Sequence, residues 1–298
     1  MNCPAATLLT IQEMTGDTHD AVLTAAGGLA GGMGGSTCGV LFGGALGLGI
    51  QYSMHSEGAG SHAEAAVVEK VGEFLQWFEE SYGTTDCRER TGLEFTSLGK
   101  MAQYMVPGHK AVKCLAHLRK AVGYLQEQIL DPAAVCLNSG DSRCSHCAGD
   151  VLSEIREQTG VGSDVLESSS VVLDGGVGLH GGACGALAAA ALVTGLMSGT
   201  DFHRTTMKDG MGAMAAMVRA GGTSKPVRPG KHHYDVFKSS QAFERIKGAF
   251  LRQAESVRCS KIVGRRTNGC RNAGCYRGTR LESHRHDKTA ALTILERG

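Results

Sequence analysis

The first half of this chain repeats in its second half, with a cysteine at each matching landmark. NCPAATLLTIQEMTG, residues 2–16, aligns without gaps to HCAGDVLSEIREQTG, residues 146–160. Cys3 matches Cys147, Leu8 matches Leu152, Ile11 matches Ile155, Glu13 matches Glu157 and Gly16 matches Gly160. Further on, a glycine-rich stretch leads into TCGVLFGGAL in one half and ACGALAAAAL in the other, which pairs Cys38 with Cys184. DCRERTG then matches RCSKIVG and pairs Cys87 with Cys259. A repeat of this length sets the architecture, because each copy folds into a similar unit. Cysteine persists while most other positions drift, so the thiols are the candidate working groups.

A chain of 298 residues has room for two domains. Residues 1–130 read as a first helical unit, 131–143 as a linker, and 144–298 as a second, diverged unit with an insertion at about 208–234. Leu8, Ile11 and Met14 recur at helical spacing, and Gly16 is a stop signal. Asp17 or Thr18 can cap a second helix, and Ser36 or Thr37 can cap a third that carries Cys38 in its first turn. Val67, Val71, Phe74, Leu75 and Phe78 line one face of an amphipathic helix, and Cys114 lies on another at about 110–129. The second half repeats this order, and no stretch alternates as a strand does. The expected fold is all-α: two similar helical-bundle units related by internal duplication about a pseudo-two-fold axis.

A net charge of +1 argues against a nucleic-acid binder built on a broad basic field. Residues 21–50 and 171–197 are apolar, but clustered glycine breaks both and alanine dominates over leucine. They read as buried core helices, with no direct membrane span. No basic segment with a signal-like apolar core opens the chain, so a cytoplasmic location is expected. The eleven cysteines then read as reduced thiols, metal ligands or redox partners.

Cys38 and Cys184 each follow a glycine turn and sit at a helix start, where the dipole favours a thiolate. A lowered thiol pKa is expected at both. Cys3 and Cys147 sit just ahead of the first helix of each unit, and Arg88 or Lys261 lies close to Cys87 or Cys259. Cys144 and Cys147 form a C-x-x-C pair without a second pair to complete a zinc ribbon. Met211, Met214 and Met217 read as core.

These positions resemble a known family, the redox-active proteins named after a C–GCAxxG–C–C cysteine pattern. Cys3, Gly35, Cys38, Gly39, Cys87 and Cys114 carry the resemblance in the first half. Cys147, the segment 182–186 and Cys259 carry it again in the second. Val40 stands where the family usually has alanine, and Ala189 where the second copy would have its last glycine. The resemblance implies a tandem copy of a small helical protein with a four-cysteine redox or metal site in each unit. The related split-Soret cytochromes bring an iron–sulfur cluster into view. No C-x-x-C-H string is present, because Ala148 follows Cys147, so no covalent haem is expected. The second copy lacks a clear fourth cysteine; His284, His286, Cys270 and Cys275 are the candidates for that role. Mixed His/Cys ligation raises the potential of other iron–sulfur centres.

The leading expectation is an electron-transfer protein with iron–sulfur clusters held by Cys3, Cys38, Cys87 and Cys114 and by Cys147, Cys184 and Cys259, working with a redox partner protein. A thiol–disulfide oxidoreductase using Cys38 or Cys184 is the enzymatic alternative. A protein that holds zinc or copper for a membrane transporter or reductase complex is the third.

Overall fold

A computed structural model describes residues 3–30, 32–55, 60–93, 104, 109–130, 146–199, 201–203 and 236–266. The fold is all-α. The first half contains α1 (Cys3–Thr15), α2 (Asp20–Ala26), a 3-10 turn (Gly27–Leu29), α3 (Gly32–Gly35), α4 (Gly39–His55), α5 (Gly60–Tyr82), α6 (Cys87–Thr91) and α7 (His109–Leu130). The second contains α8 (Cys147–Thr159), α9 (Asp164–Ser169), a 3-10 turn (Ser170–Leu173), α10 (Gly185–Ser198), α11 (Val236–Ala254) and α12 (Cys259–Arg266). The linker at 131–143 and the insertion at 208–234 lie outside the described residues. Among the described residues the sole β-type pairing is an isolated bridge between Ala183 and Arg258.

Helix α4 and its counterpart α10 form the centre. Every residue of α10 from Gly185 to Gly195 is buried, including the run Ala188 to Ala191. A helix that is apolar on all sides must be covered on all sides. Here α8, α11, α2 and the first 3-10 turn cover α10, and α1, α5, α7, α9 and the second 3-10 turn cover α4. One hydrophobic core runs through both halves. No described helix is long and apolar enough to cross a membrane. The apolar stretch at 21–50 is divided among α2, the first 3-10 turn, α3 and α4, and that at 171–197 between the second 3-10 turn and α10.

Equivalent positions make equivalent contacts. The Cys38 N–H donates to the Thr85 carbonyl at 2.8 Å, and the Cys184 N–H to the Val257 carbonyl at 2.8 Å. A Cβ added to Gly35 would lie 2.8 Å from Arg88 Cβ; one added to Gly181 would lie 2.9 Å from Ser260 Cβ. Gly49 of α4 abuts the Ser169 carbonyl of α9, and Gly195 of α10 abuts the Ala25 carbonyl of α2. The last pair is reciprocal, so each central helix packs against the second helix of the other unit. The halves are thus joined by a pseudo-two-fold interface that is part of the core.

Two local readings need correction. The residue before α2 is His19, with no side-chain cap, so neither Asp17 nor Thr18 takes that place. Cys184 is the N-cap residue of α10, and Cys38 likewise immediately precedes α4; neither is in the first turn. The glycine stretch before Cys184 is more unusual than a simple turn. Gly175, Gly176, Val177, Gly178 and Leu179 all have positive φ, between +55° and +85°. Left-handed backbone costs about 1–2 kcal/mol at each non-glycine residue. Full burial of Val177 and bonds such as Gly178 N–H to the Val172 carbonyl, 2.8 Å, hold it in place.

Candidate thiol sites

The first site gathers cysteines from four helices: Cys3 opens α1, Cys38 precedes α4, Cys87 opens α6 and Cys114 lies on α7. All four are free thiols. Cys3 reaches Cys38 because the next residue is glycine. A Cβ on Gly39 would sit 3.0 Å from Cys3 Cβ and 2.7 Å from Pro4 Cδ. Asp86 fixes Cys87 by capping α6: its Oδ1 accepts the Arg88 and Glu89 N–H groups at 2.7 and 3.0 Å. Tyr104 hydrogen-bonds Cys114.

Arg90, one turn into α6, points its Nη1 at Cys38 Sγ, 3.1 Å away. Its guanidinium lies over the Phe78 ring, 4.4 Å from the centroid, and near Tyr82, at 5.1 Å. It also donates to His117, whose ring stacks on Tyr82 at 4.0 Å. Burial and then the neighbouring Arg90, Lys113 and Lys120 push the His117 pKa down to about 4, so the ring is neutral and accepts.

Burial dominates at Cys3, Cys87 and Cys38. It pushes Cys3 up to about 12, with the charges of Cys38 and Cys114 adding to the rise. Cys87 is raised for the same reasons, by burial and then by Cys38, Cys3 and Cys114. Cys38 is raised by burial although Arg90 and the N–H groups of Val40 and Leu41 pull the other way. The helix-start effect expected at Cys38 is therefore present and outweighed: the low-pKa thiol is not found. The cation that reaches its sulfur is Arg90, two residues beyond Arg88.

The second site repeats the arrangement with other neighbours. Cys147 opens α8, Cys184 precedes α10 and Cys259 opens α12. A Cβ on Gly185 would lie 3.1 Å from Cys147 Cβ, matching the Gly39–Cys3 contact. Asp174 is fully buried, and its Oδ1 accepts the N–H groups of Cys147 at 2.7 Å and Ala148 at 3.4 Å. Its Oδ2 pairs with His146 Nδ1 at 2.7 Å, and His146 Nε2 meets Glu64 Oε2 at 3.1 Å. Burial alone would lower the His146 pKa; the hydrogen bonds to Asp174 and Glu64 reverse this and raise it to about 10. The Cys147 thiol is pushed well up by burial, then by Asp174, Cys184 and Cys259, while the Gly175 N–H opposes the rise.

The sites stand back to back. Thr37 and Ala183, the residues before Cys38 and Cys184, are joined by an Ala183 N–H to Thr37 Oγ1 bond of 2.9 Å. Asp86 and Arg258, the residues before Cys87 and Cys259, form an ion pair.

The sequence-predicted residues thus fall into two groups. Mutual electrostatic influence links Cys3, Cys38, Cys87 and Cys114 in one and Cys147, Cys184 and Cys259 in the other. Cys144, Cys270, Cys275, His284 and His286 lie outside the described residues. Among the described residues no three His, Cys, Asp or Glu side chains are already set as ligands around a metal position. Arg90, Tyr104, His146 and Asp174 were not singled out from sequence. Only the spacing of Arg90 within CRERTG, one turn from Cys87, offered a signal.

Neither a curated protein nor a solved structure matches the chain. The model of the family described as "Putative redox-active protein (C_GCAxxG_C_C)" matches residues 1–128 and again residues 145–288. With both thiol groups inside those two matches, the chain belongs to the C_GCAxxG_C_C redox-active family as a tandem copy.

Proposed function

We propose that the protein is an electron carrier whose first unit holds an iron–sulfur cluster through Cys3, Cys38, Cys87 and Cys114. The second unit holds an altered centre through Cys147, Cys184 and Cys259. The observation that carries this reading is the shared electrostatics of the first four thiols. Burial drives Cys3, Cys38 and Cys87 toward the neutral form, and negative charge on neighbouring thiols of the group raises each of these three further. Arg90 supplies one positive charge against four potential negative ones. Iron cations would relieve both penalties, since a coordinating thiol is deprotonated outright. Four cysteine thiolates are the donor set that iron–sulfur clusters use, and the glycine at 39 lets two of them approach.

A bound cluster would supply one-electron transfer. The chain's own part is to furnish thiolates and surround them with apolar side chains. The N–H groups of Val40 and Leu41 and the Arg90 guanidinium are directed at Cys38 sulfur. Donors to sulfur raise a cluster's potential, and burial limits solvent access. Thiol–disulfide exchange is less well supported, because an attacking thiol works best with a pKa near ambient pH. Cys3, Cys38 and Cys87 are all raised instead.

The test is anaerobic purification followed by a visible spectrum and by iron and acid-labile sulfide assays on one sample. Matched iron and sulfide are expected, with part of each lost in Cys38→Ala and a separate part in Cys184→Ala. A colourless protein that stays free of iron and sulfide after reconstitution sinks the reading. Zinc or copper bound in the same ratio without sulfide would assign the thiols to metal handling.

A further inference from the structure

The two thiol sites share equivalent backbone contacts around Cys38 and Cys184 and carry opposite fixed charges. At the first, the Arg90 guanidinium is 3.1 Å from Cys38 sulfur. The equivalent position in the second unit is Ile262, apolar and buried. At the second, the Asp174 carboxylate is fully buried and bonded to the Cys147 N–H at 2.7 Å. The positions matching it in the first unit are Gly28 or Ala30, depending on which flanking cysteine sets the register, and both are uncharged. His146 offsets part of the Asp174 charge, but Glu64 adds a second carboxylate to the same network. Asp86 and Arg258 lie between the sites and neutralise each other.

Adding an electron makes a redox centre more negative. A buried cation beside it favours the reduced state, and a buried anion disfavours it. Both effects are strong where water is excluded. From this we infer that the chain is an internally biased electron relay: the first site is the acceptor and the second the donor. One electron leaves the centre held by Cys147, Cys184 and Cys259, which is oxidised. It enters the centre held by Cys3, Cys38, Cys87 and Cys114, which is reduced. No bond breaks and no proton need move. The route is short, because Thr37 and Ala183, each next to a cysteine of its own site, are hydrogen-bonded to each other. Duplication followed by charge divergence has turned two equivalent centres into an ordered pair. Arg90 and Asp174 act through the sulfurs, as tuning residues.

This rests on the redox-centre reading above, and the experiment separates the two. Whole anaerobic protein is titrated against a potential scale while its spectrum is recorded, for wild type, Arg90→Ile, Arg90→Lys and Asp174→Asn. Iron and sulfide are measured on each sample. Two waves are expected. Arg90→Ile lowers only the upper one, by about tenfold in equilibrium constant, which is about 59 mV for one electron. Arg90→Lys restores part of that shift, and Asp174→Asn raises only the lower wave. Waves that ignore Arg90→Ile at unchanged iron content, or that move together, overturn the inference. If the protein binds no iron, the cluster reading fails by itself. The same ranking is then read by equilibration with oxidised and reduced glutathione and alkylation of the remaining thiols. Thiols of the first site should persist to more oxidising mixtures, and the reverse order overturns the inference.

Discussion

His146 shows how a single buried side chain can set a pH limit on this fold. Its imidazolium is held between a fully buried carboxylate, Asp174, and the more exposed Glu64. The folded-state pKa of about 10 stands above the ordinary 6.5, so the folded protein binds the proton more tightly than the unfolded chain does. The stability this contributes is fully present below pH 6.5 and is lost as pH rises through about 10. His146→Gln leaves Asp174 as a buried anion without its cation, a loss of about 3 kcal/mol where such a pair is broken. Thermal melts should show wild type well above His146→Gln at pH 6 and the two converging above pH 10. A gap that is constant across that range would mean the imidazole contributes by packing alone. His117 has a different environment: burial, and then Arg90, Lys113 and Lys120, keep it neutral. Two histidines on one chain therefore take different charge states, and helix packing supplies the distant partners: Arg90 at His117, and Asp174 and Glu64 at His146.

At the scale of helices, close backbone approach is what the glycines provide. Gly195 of α10 faces the Ala25 carbonyl and the backbone of Gly28, so a methyl group there has no room. Gly123 of α7 has nothing within 4 Å of the same added atom. Gly195→Ala should destabilise by about 1–3 kcal/mol through overpacking. Gly123→Ala should stabilise by about 0.5–1 kcal/mol, because alanine is the better helix former. Urea titration of both variants checks the contrast, and equal effects would deny that α10 and α2 touch backbone to backbone. Much at this scale was legible in the sequence. The spacing of Leu8 and Ile11 marks α1, and the stripe from Val67 to Phe78 marks the buried face of α5, with Val67, Val71, Phe74, Leu75 and Phe78 all buried. Repeated cysteines located both thiol groups. Arg90 at Cys38 and Asp174 at Cys147 were not legible, because each contact joins residues far apart in the chain and is created by helix packing. The left-handed run through Val177 was likewise hidden, since a β-branched residue argues against that backbone.

In the whole molecule the two units complete one another, which predicts how each behaves alone. Residues 1–130 without the second half would expose the faces of α2 and α4 that α10, α9 and the second 3-10 turn now cover. Two copies of the first unit could cover those faces, because Ala25 stands where Ser169 does and would meet Gly49 in the same way. The axis, however, brings equivalent positions together, as the Asp86–Arg258 pair shows. A first-unit homodimer would set Asp86 against Asp86, and a second-unit homodimer Arg258 against Arg258. Like charges facing across an interface select against the wrong pairing. Separately produced residues 1–130 should thus be unfolded or form a weak dimer that tightens as added salt screens the carboxylates. Mixing with residues 144–298 should give a folded one-to-one complex in preference to either homodimer, read by sedimentation and circular dichroism. A stable, helical monomer of residues 1–130 would overturn this account: it would mean that the shared core is an accessory to two self-sufficient domains, and that the charge pair at the axis selects nothing.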